Sequence, residues 1–129
     1  MPEPAIALPV QANHMLLEGT LVSPPEFRFT PAGRLVARLC MEHLSQEPGT
    51  DPPQRIELRI AVLALGRLAE QCRPLAQGTP LRVEGRLNQK RWIRDGKVRW
   101  GETELLAQQI RCLGQDGAVA ASSSAALSP

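Results

Sequence analysis

From Arg55 to Val62 the chain alternates without a fault. Ile56, Leu58, Ile60 and Val62 fall on one face, and Arg55, Glu57 and Arg59 on the other. A period of two over such a stretch predicts a half-buried β-strand. Pro80 to Gln89 repeats the pattern, with Leu81, Val83, Gly85 and Leu87 set against Arg82, Glu84 and Arg86. A glycine at the middle of that run, Gly85, predicts a bend or bulge of the kind small barrels need at their corners. Leu35, Ala37, Leu39 and Met41 form another strand, with Arg34, Arg38 and Glu42 opposite. Met15 to Ser23 and Thr103 to Leu113 supply the first and last strands, with a less regular alternation. Only Ala64 to Arg73 changes period. Leu65, Leu68, Ala69 and Cys72 recur there at helical spacing, which predicts a short helix ended by Pro74.

Turn chemistry fills the gaps: Pro24-Pro25, Thr30-Pro31-Ala32-Gly33, Pro48-Gly49, Pro52-Pro53 and Asp95-Gly96. The order is therefore strand, strand, strand, helix, strand, strand. That order predicts an all-β fold, a five-stranded OB-fold barrel with a short helix between its third and fourth strands. An SH3-like barrel would lack the helix, and a sandwich would need more strands. The ordered domain is expected to run over 13–113. The proline-rich extension, 1–12, and the Ser/Ala-rich tail, 114–129, lack any usable period and are expected to be flexible.

Composition narrows the function. With 43% hydrophobic and 22% charged residues in 129, the chain can bury one core without disulfides or a metal. Cys40, Cys72 and Cys112 are odd in number and form no Cys-x-x-Cys pair, so reduced, buried thiols are expected rather than a disulfide or metal site. Met1 to Asn13 carries no basic residue to start a secretory signal. No run approaches the roughly 18 apolar residues that would cross a bilayer. A cytoplasmic protein without a membrane partner is expected. His14 and His43, the only histidines, have no Ser or Cys partner at a recognisable spacing, and no Gly-rich phosphate loop is present. The chain is thus expected not to be an enzyme, with no catalytic residues, cofactor or small-molecule substrate.

Charge then singles out one segment. Residues 90–99 hold Lys90, Arg91, Arg94, Lys97 and Arg99 against Asp95 alone, a local charge of +4 in a chain of net +2. Trp92 lies within the run and Trp100 directly after it, while Phe27 and Phe29 are the only other aromatics. Cations interleaved with an indole suit a single-stranded nucleic acid, with guanidinium groups for phosphates and a flat ring for a base. The plainer alternative is a solvated hairpin whose charges guard a sheet edge.

Thr30-Pro31-Ala32-Gly33, followed by a strand ending in Met41-Glu42-His43, resembles the "S/T-P-x-G … L-E-H" segment of the primosomal replication protein N family. These are bacterial OB-fold proteins related to single-stranded DNA-binding protein. Asn13, Glu18-Gly19-Thr20 and the stretch from Gly78 to Gly85 match as well, so the resemblance covers the whole expected domain. It implies a homodimer that binds single-stranded DNA and assists replication restart together with the restart helicase and other primosome proteins. It also implies that the basic residues between the last two strands hold DNA, here Lys90, Arg91, Arg94, Lys97 and Arg99. Trp92 is the candidate for base stacking. The chain departs from the pattern at Ile56-Glu57-Leu58-Arg59, where relatives can place a tryptophan and Glu57 would repel phosphate. Arg34, Arg38 and Arg59 lie on the sheet face, with Arg59 and Arg34 as the candidates for contact; the plainer alternative is that each arginine is half of a cross-strand pair with a carboxylate such as Glu57 or Glu84.

Two alternatives compete. A conventional single-stranded DNA-binding protein would be expected to end in an acidic tail with an apolar tip, whereas the tail here reads SSSAALSP. A protein-interaction module would use the basic hairpin against an acidic protein surface.

Overall fold

The computed structural model describes residues 10–114. Residues 1–9 and 115–129, which make up most of the expected extension and tail, lie outside the described residues.

Six strand segments and one helix follow in order: β1 (Met15–Leu21), β2 (Glu26–Phe29), β3 (Leu35–Glu47), β4 (Gln54–Leu65), α1 (Arg67–Gln71), β5 (Pro80–Arg94) and β6 (Lys97–Cys112). The sheet runs β1-β5-β6-β4-β3-β2, and β1 also pairs with β3 through Thr20↔Glu42 and Leu21↔Met41. That last pairing closes a five-stranded barrel, the expected OB-fold. All its neighbours are antiparallel except β4 and β6, which run parallel over Ala61↔Glu104 to Leu63↔Leu106.

Most of the alternating apolar positions point inward, but Leu58 and Leu87, where β4 and β5 run out past the core, stay exposed. Leu21, Leu39, Met41, Val62, Leu81, Val83 and Leu105 are fully buried, each adding about 1.5–3 kcal/mol of apolar transfer. Gly85 sits at a register shift between β5 and β6, where a Cβ would run into the backbone carbonyl of Leu106. Its missing side chain lets the two strands close at the corner.

Two elements differ from the sequence pattern. β2 is a short segment on the outer flank of β3, paired from Glu26↔Arg38 to Phe29↔Leu35. Four residues between two turn clusters are too few to display a period. The helix is also shorter than the expected 64–73, because Ala64 and Leu65 continue β4 opposite Ala37 and Val36. Ala69 and Cys72 still enter the core, and Arg73 lies 5.0 Å from the Phe27 ring centroid. Burial pushes the Cys72 thiol up to about 12, the proximity of Cys112 adding to it. Among the described residues no helix is long and apolar enough to cross a membrane.

Candidate nucleic-acid interface

The basic segment is a paired ribbon rather than a loop. β5 and β6 continue past the barrel wall and stay in register through Arg91↔Trp100, Trp92↔Arg99, Ile93↔Val98 and Arg94↔Lys97. Asp95 and Gly96 alone form the turn, with φ of 54° and 72°. Both central residues at positive φ match the twist of the flanking strands, which is why Asp-Gly is favoured there. A register shift between Gln89 and Arg91 marks where the ribbon leaves the barrel. At its foot the Asn13 side chain acts as a substitute peptide group. Its Nδ2 donates to the Leu87 carbonyl and its Oδ1 accepts from the Leu87 N–H, both at 2.9 Å.

Alternation sorts the ribbon's side chains onto two faces. Trp92, Arg94, Lys97 and Arg99 share one face; Arg91, Ile93, Val98 and Trp100 share the other. On the first, the Trp92 ring lies over Gly101. A Cβ placed at Gly101 would meet Trp92 Cζ3 at 2.9 Å and Cη2 at 3.5 Å, with the Lys90 Cβ at 3.4 Å. The outer end of the indole, Cζ3 and Cη2, thus rests against Gly101, and Trp92 remains 47% exposed. A seated, half-exposed ring flanked by Arg94, Lys97 and Arg99 can stack a base while the cations reach phosphates on either side.

The structure therefore brings together Trp92, Arg94, Lys97 and Arg99, and it separates three of the other candidates. Lys90 lies on the ring's side, but its Nζ is 3.5 Å from Oε2 of Glu104. Glu104 is 4% exposed, and its Oε1 has no hydrogen-bond partner. Lys90 is thus the counter-charge of a buried carboxylate, which removes one cation from the five counted in the sequence. Arg91 lies on the opposite face from Trp92. Arg34 lies at the other end of β4, its Nε 3.7 Å from the Cβ position of Gly66 at the start of α1. At ~3.3 Å per residue, that is roughly 25 Å along the strand from Leu58.

Arg59 fares differently. It lines an open groove of about 380 Å³ at the foot of the ribbon together with Arg38, Leu58, Ile60, Glu102 and Thr103. Arg59 Nε lies 3.2 Å from Glu42, and Arg38 Nη2 lies 3.2 Å from Glu102. Exposed pairs of this kind are worth about 0–1 kcal/mol, so a phosphate can displace the carboxylates at little cost. Glu57 is held 3.3 Å from Arg55. His43 is structural: its Nδ1–H donates to the Glu18 carbonyl at 2.6 Å, and its Nε2 accepts from the Ser45 hydroxyl at 2.8 Å. Among the described residues no group of three or more His, Cys, Asp or Glu is placed to hold a metal.

Sequence reasoning did not find Gly101, Glu104 or the structural use of Asn13, and it gave Arg38 less weight than Arg34. Gly101 alone carried a usable signal, because a glycine inside a strand often marks a close approach by a neighbour.

A closed OB barrel that extends a cationic, ring-bearing ribbon has the architecture of an oligonucleotide-binding protein. Comparison with known proteins agrees. Residues 13–97 match the family described as "another single-strand binding protein family", and the chain belongs to that family. Replication restart protein PriB of Nitrosomonas europaea is 24% identical over 90 residues, covering 70% of this chain and 83% of that protein. The wild-type single-stranded DNA binding protein of Thermus aquaticus superposes with a TM-score of 0.71 at 30% identity, over 82% of this chain and 52% of that one. PriB of Ralstonia solanacearum has the same fold, with a TM-score of 0.63 at 23% identity over 81% of this chain and 100% of its own. The chain thus spans most of the restart protein's length but only about half of the Thermus protein's. The resemblance to the primosomal family accords with these matches.

Proposed function

We propose that this protein binds single-stranded DNA on the Trp92 face of its ribbon and serves replication restart, as a binding protein rather than an enzyme. The observation that carries the reading is the Trp92 ring seated over Gly101, with Arg94, Lys97 and Arg99 on the same face. The restart role draws on the PriB relative and on the Thr30-to-Gly33 and Met41-to-His43 segments. Contact with the restart helicase and other primosome proteins belongs to the same proposal. So does a homodimer, supported by the edge of β1: only Thr20 and Leu21 pair with β3, while Met15 to Gly19 pair with β5 alone. Arg38 and Arg59 extend the DNA path into the groove.

The test is fluorescence anisotropy of a labelled ~30-base oligo-dT and of the matching duplex, across a salt series. Five free cations would give a log–log slope near −3.5, from ~0.7 per phosphate neutralised on a single strand. With Lys90 engaged by Glu104 and Arg91 on the opposite face, the three cations beside Trp92 give an expected slope of about −2.1 per ribbon. Equal affinity for the duplex, or no dependence on salt, would refute the reading.

A further inference from the structure

The second face of the ribbon is unlike the first. Ile93 and Val98 are directly opposed across the two strands, and Trp100 follows one pair further along beside Arg91. Ile93 is 68% exposed, Trp100 is 61% exposed, and Val98 is half-exposed. These are large apolar side chains on a two-stranded ribbon that has left the barrel, and among the described residues no third strand or helix lies over this face. Such ribbons are marginal in water unless one face is covered. A contiguous exposed apolar stripe on an otherwise cationic arm marks an interaction surface.

Charge and shape decide what covers it. Single-stranded DNA offers bases that need flat rings and phosphates that need cations. On this side Trp100 is the one flat ring and Arg91 the one cation that can meet a phosphate, whereas Ile93 and Val98, which make up the middle of the stripe, offer neither π-face nor charge. A wholly apolar partner would cover the stripe but leave Arg91 without a counter-charge as water is removed. A protein segment combining large apolar side chains with carboxylates satisfies both requirements, because its apolar groups cover Ile93, Val98 and Trp100 while its acids pair with Arg91 and the ribbon's rim. Such a segment is also repelled by DNA phosphates, so it gains nothing from the Trp92 face once that face is occupied.

We infer that the Ile93–Val98–Trp100 face, with Arg91, is a docking surface for an acidic, apolar protein segment, and that the ribbon holds such a partner and single-stranded DNA at once on opposite sides. The inference rests on assigning DNA to the Trp92 face, and the two are tested separately. The probe is a synthetic twelve-residue peptide of alternating Asp and Leu, with Lys/Leu and Asp/Ser peptides as controls. Each is titrated calorimetrically into the full chain, free and saturated with oligo-dT. The Asp/Leu peptide alone is expected to bind. Its Kd should rise at least tenfold in Ile93→Ser and in Trp100→Ser, stay within twofold in Trp92→Ala, and rise no more than about threefold with the oligonucleotide bound, the phosphates across the ribbon adding only screened repulsion. Both substituted positions are solvent-exposed, and a thermal melt of each variant verifies the fold. Displacement of the peptide by oligo-dT would assign this face to DNA and overturn the inference. So would a wild-type dimer that Ile93→Ser converts to monomers, since a second copy would then be the occupant. Absence of any binding by the Asp/Leu peptide also overturns it. Failure of wild-type protein to bind oligo-dT refutes the DNA assignment by itself and is read before any peptide is added.

Discussion

Placing a side chain at Gly101 tests the stacking platform without touching a charge. The backbone there is not among the positive-φ glycines, so alanine or valine fits the local conformation. The obstacle is the ring. A Cβ would stand 2.9 Å from Trp92 Cζ3, whereas carbon atoms rest at about 3.5–4.0 Å. Alanine therefore displaces the indole by about half an ångström to an ångström. Valine adds two methyl groups in the same direction and drives the ring off its seat. Base–aromatic stacking is worth about 1–3 kcal/mol, which converts to roughly 5- to 150-fold in Kd at ~1.4 kcal/mol per tenfold. The expected loss for Gly101→Val approaches that of Trp92→Ala, and Gly101→Ala loses less than about tenfold. The salt slope should be unchanged in all three, because no phosphate contact is removed. Thermal stability should hold or rise in Gly101→Val, since a β-branched residue suits a strand better than glycine. The assay is oligo-dT anisotropy across a salt series, with a melt on each variant. If Gly101→Val binds within twofold of wild type while Trp92→Ala is weakened, the ring's seat is irrelevant to binding and the argument fails.

Three other outcomes follow from the same geometry. Lys90→Ala is expected to destabilise the fold, because it strips the counter-charge from buried Glu104; Glu104→Gln should be milder and, by freeing Lys90 on the Trp92 side, should hold or strengthen oligonucleotide affinity. Chemical denaturation of the two single variants, which should differ by more than about 1 kcal/mol in that order, decides it. Cys72 gives a pH signature: its folded pKa is raised to about 12, so its stabilisation is complete below the unfolded value near ~8.5 and is lost as pH rises toward 12. Wild type should therefore lose stability faster than Cys72→Val between pH 9 and 11, by up to about 1.4 kcal/mol per unit, and parallel curves would refute this. Asn13→Ala removes both bonds to Leu87 and should cost about 1–2 kcal/mol, with faster amide exchange at Leu87 as the local readout.

The barrel was legible because its strands obey a single period. Val62, Leu81 and Val83 follow that period into the core, Leu58 and Leu87 on the same faces stay exposed because their strands run past it, and Gly85 marks the corner where a register shift occurs. The Asp95-Gly96 turn was equally plain, since few dipeptides tolerate two positive φ values in succession. β2 was hidden because Glu26 to Phe29 is shorter than any period that could reveal it. The site was only half legible. Counting charges located the ribbon, but a count cannot say which face a cation takes or what already holds it. Trp92 and Arg91 are neighbours in sequence and lie on opposite sides of the ribbon. Lys90 is spoken for by a glutamate 14 positions away that reads as one more polar residue in an irregular strand. Arg34 and Arg59 look equivalent in sequence, yet only Arg59 reaches the groove beside the ribbon.

The buried carboxylate of Glu104 also sets an order in which this chain can drift. If position 90 loses its lysine first, the intermediate carries an uncompensated charge in the barrel wall and is selected against. If Glu104 is first replaced by glutamine or an apolar residue, Lys90 becomes an ordinary exposed lysine, free to vary or to take up a ligand. Homologous chains that lack a cation at position 90 should therefore also lack the acid at 104, whereas chains that lack the acid are free to keep or lose the cation at 90. That one-sided pattern separates a lysine retained for the fold from one retained for the ligand.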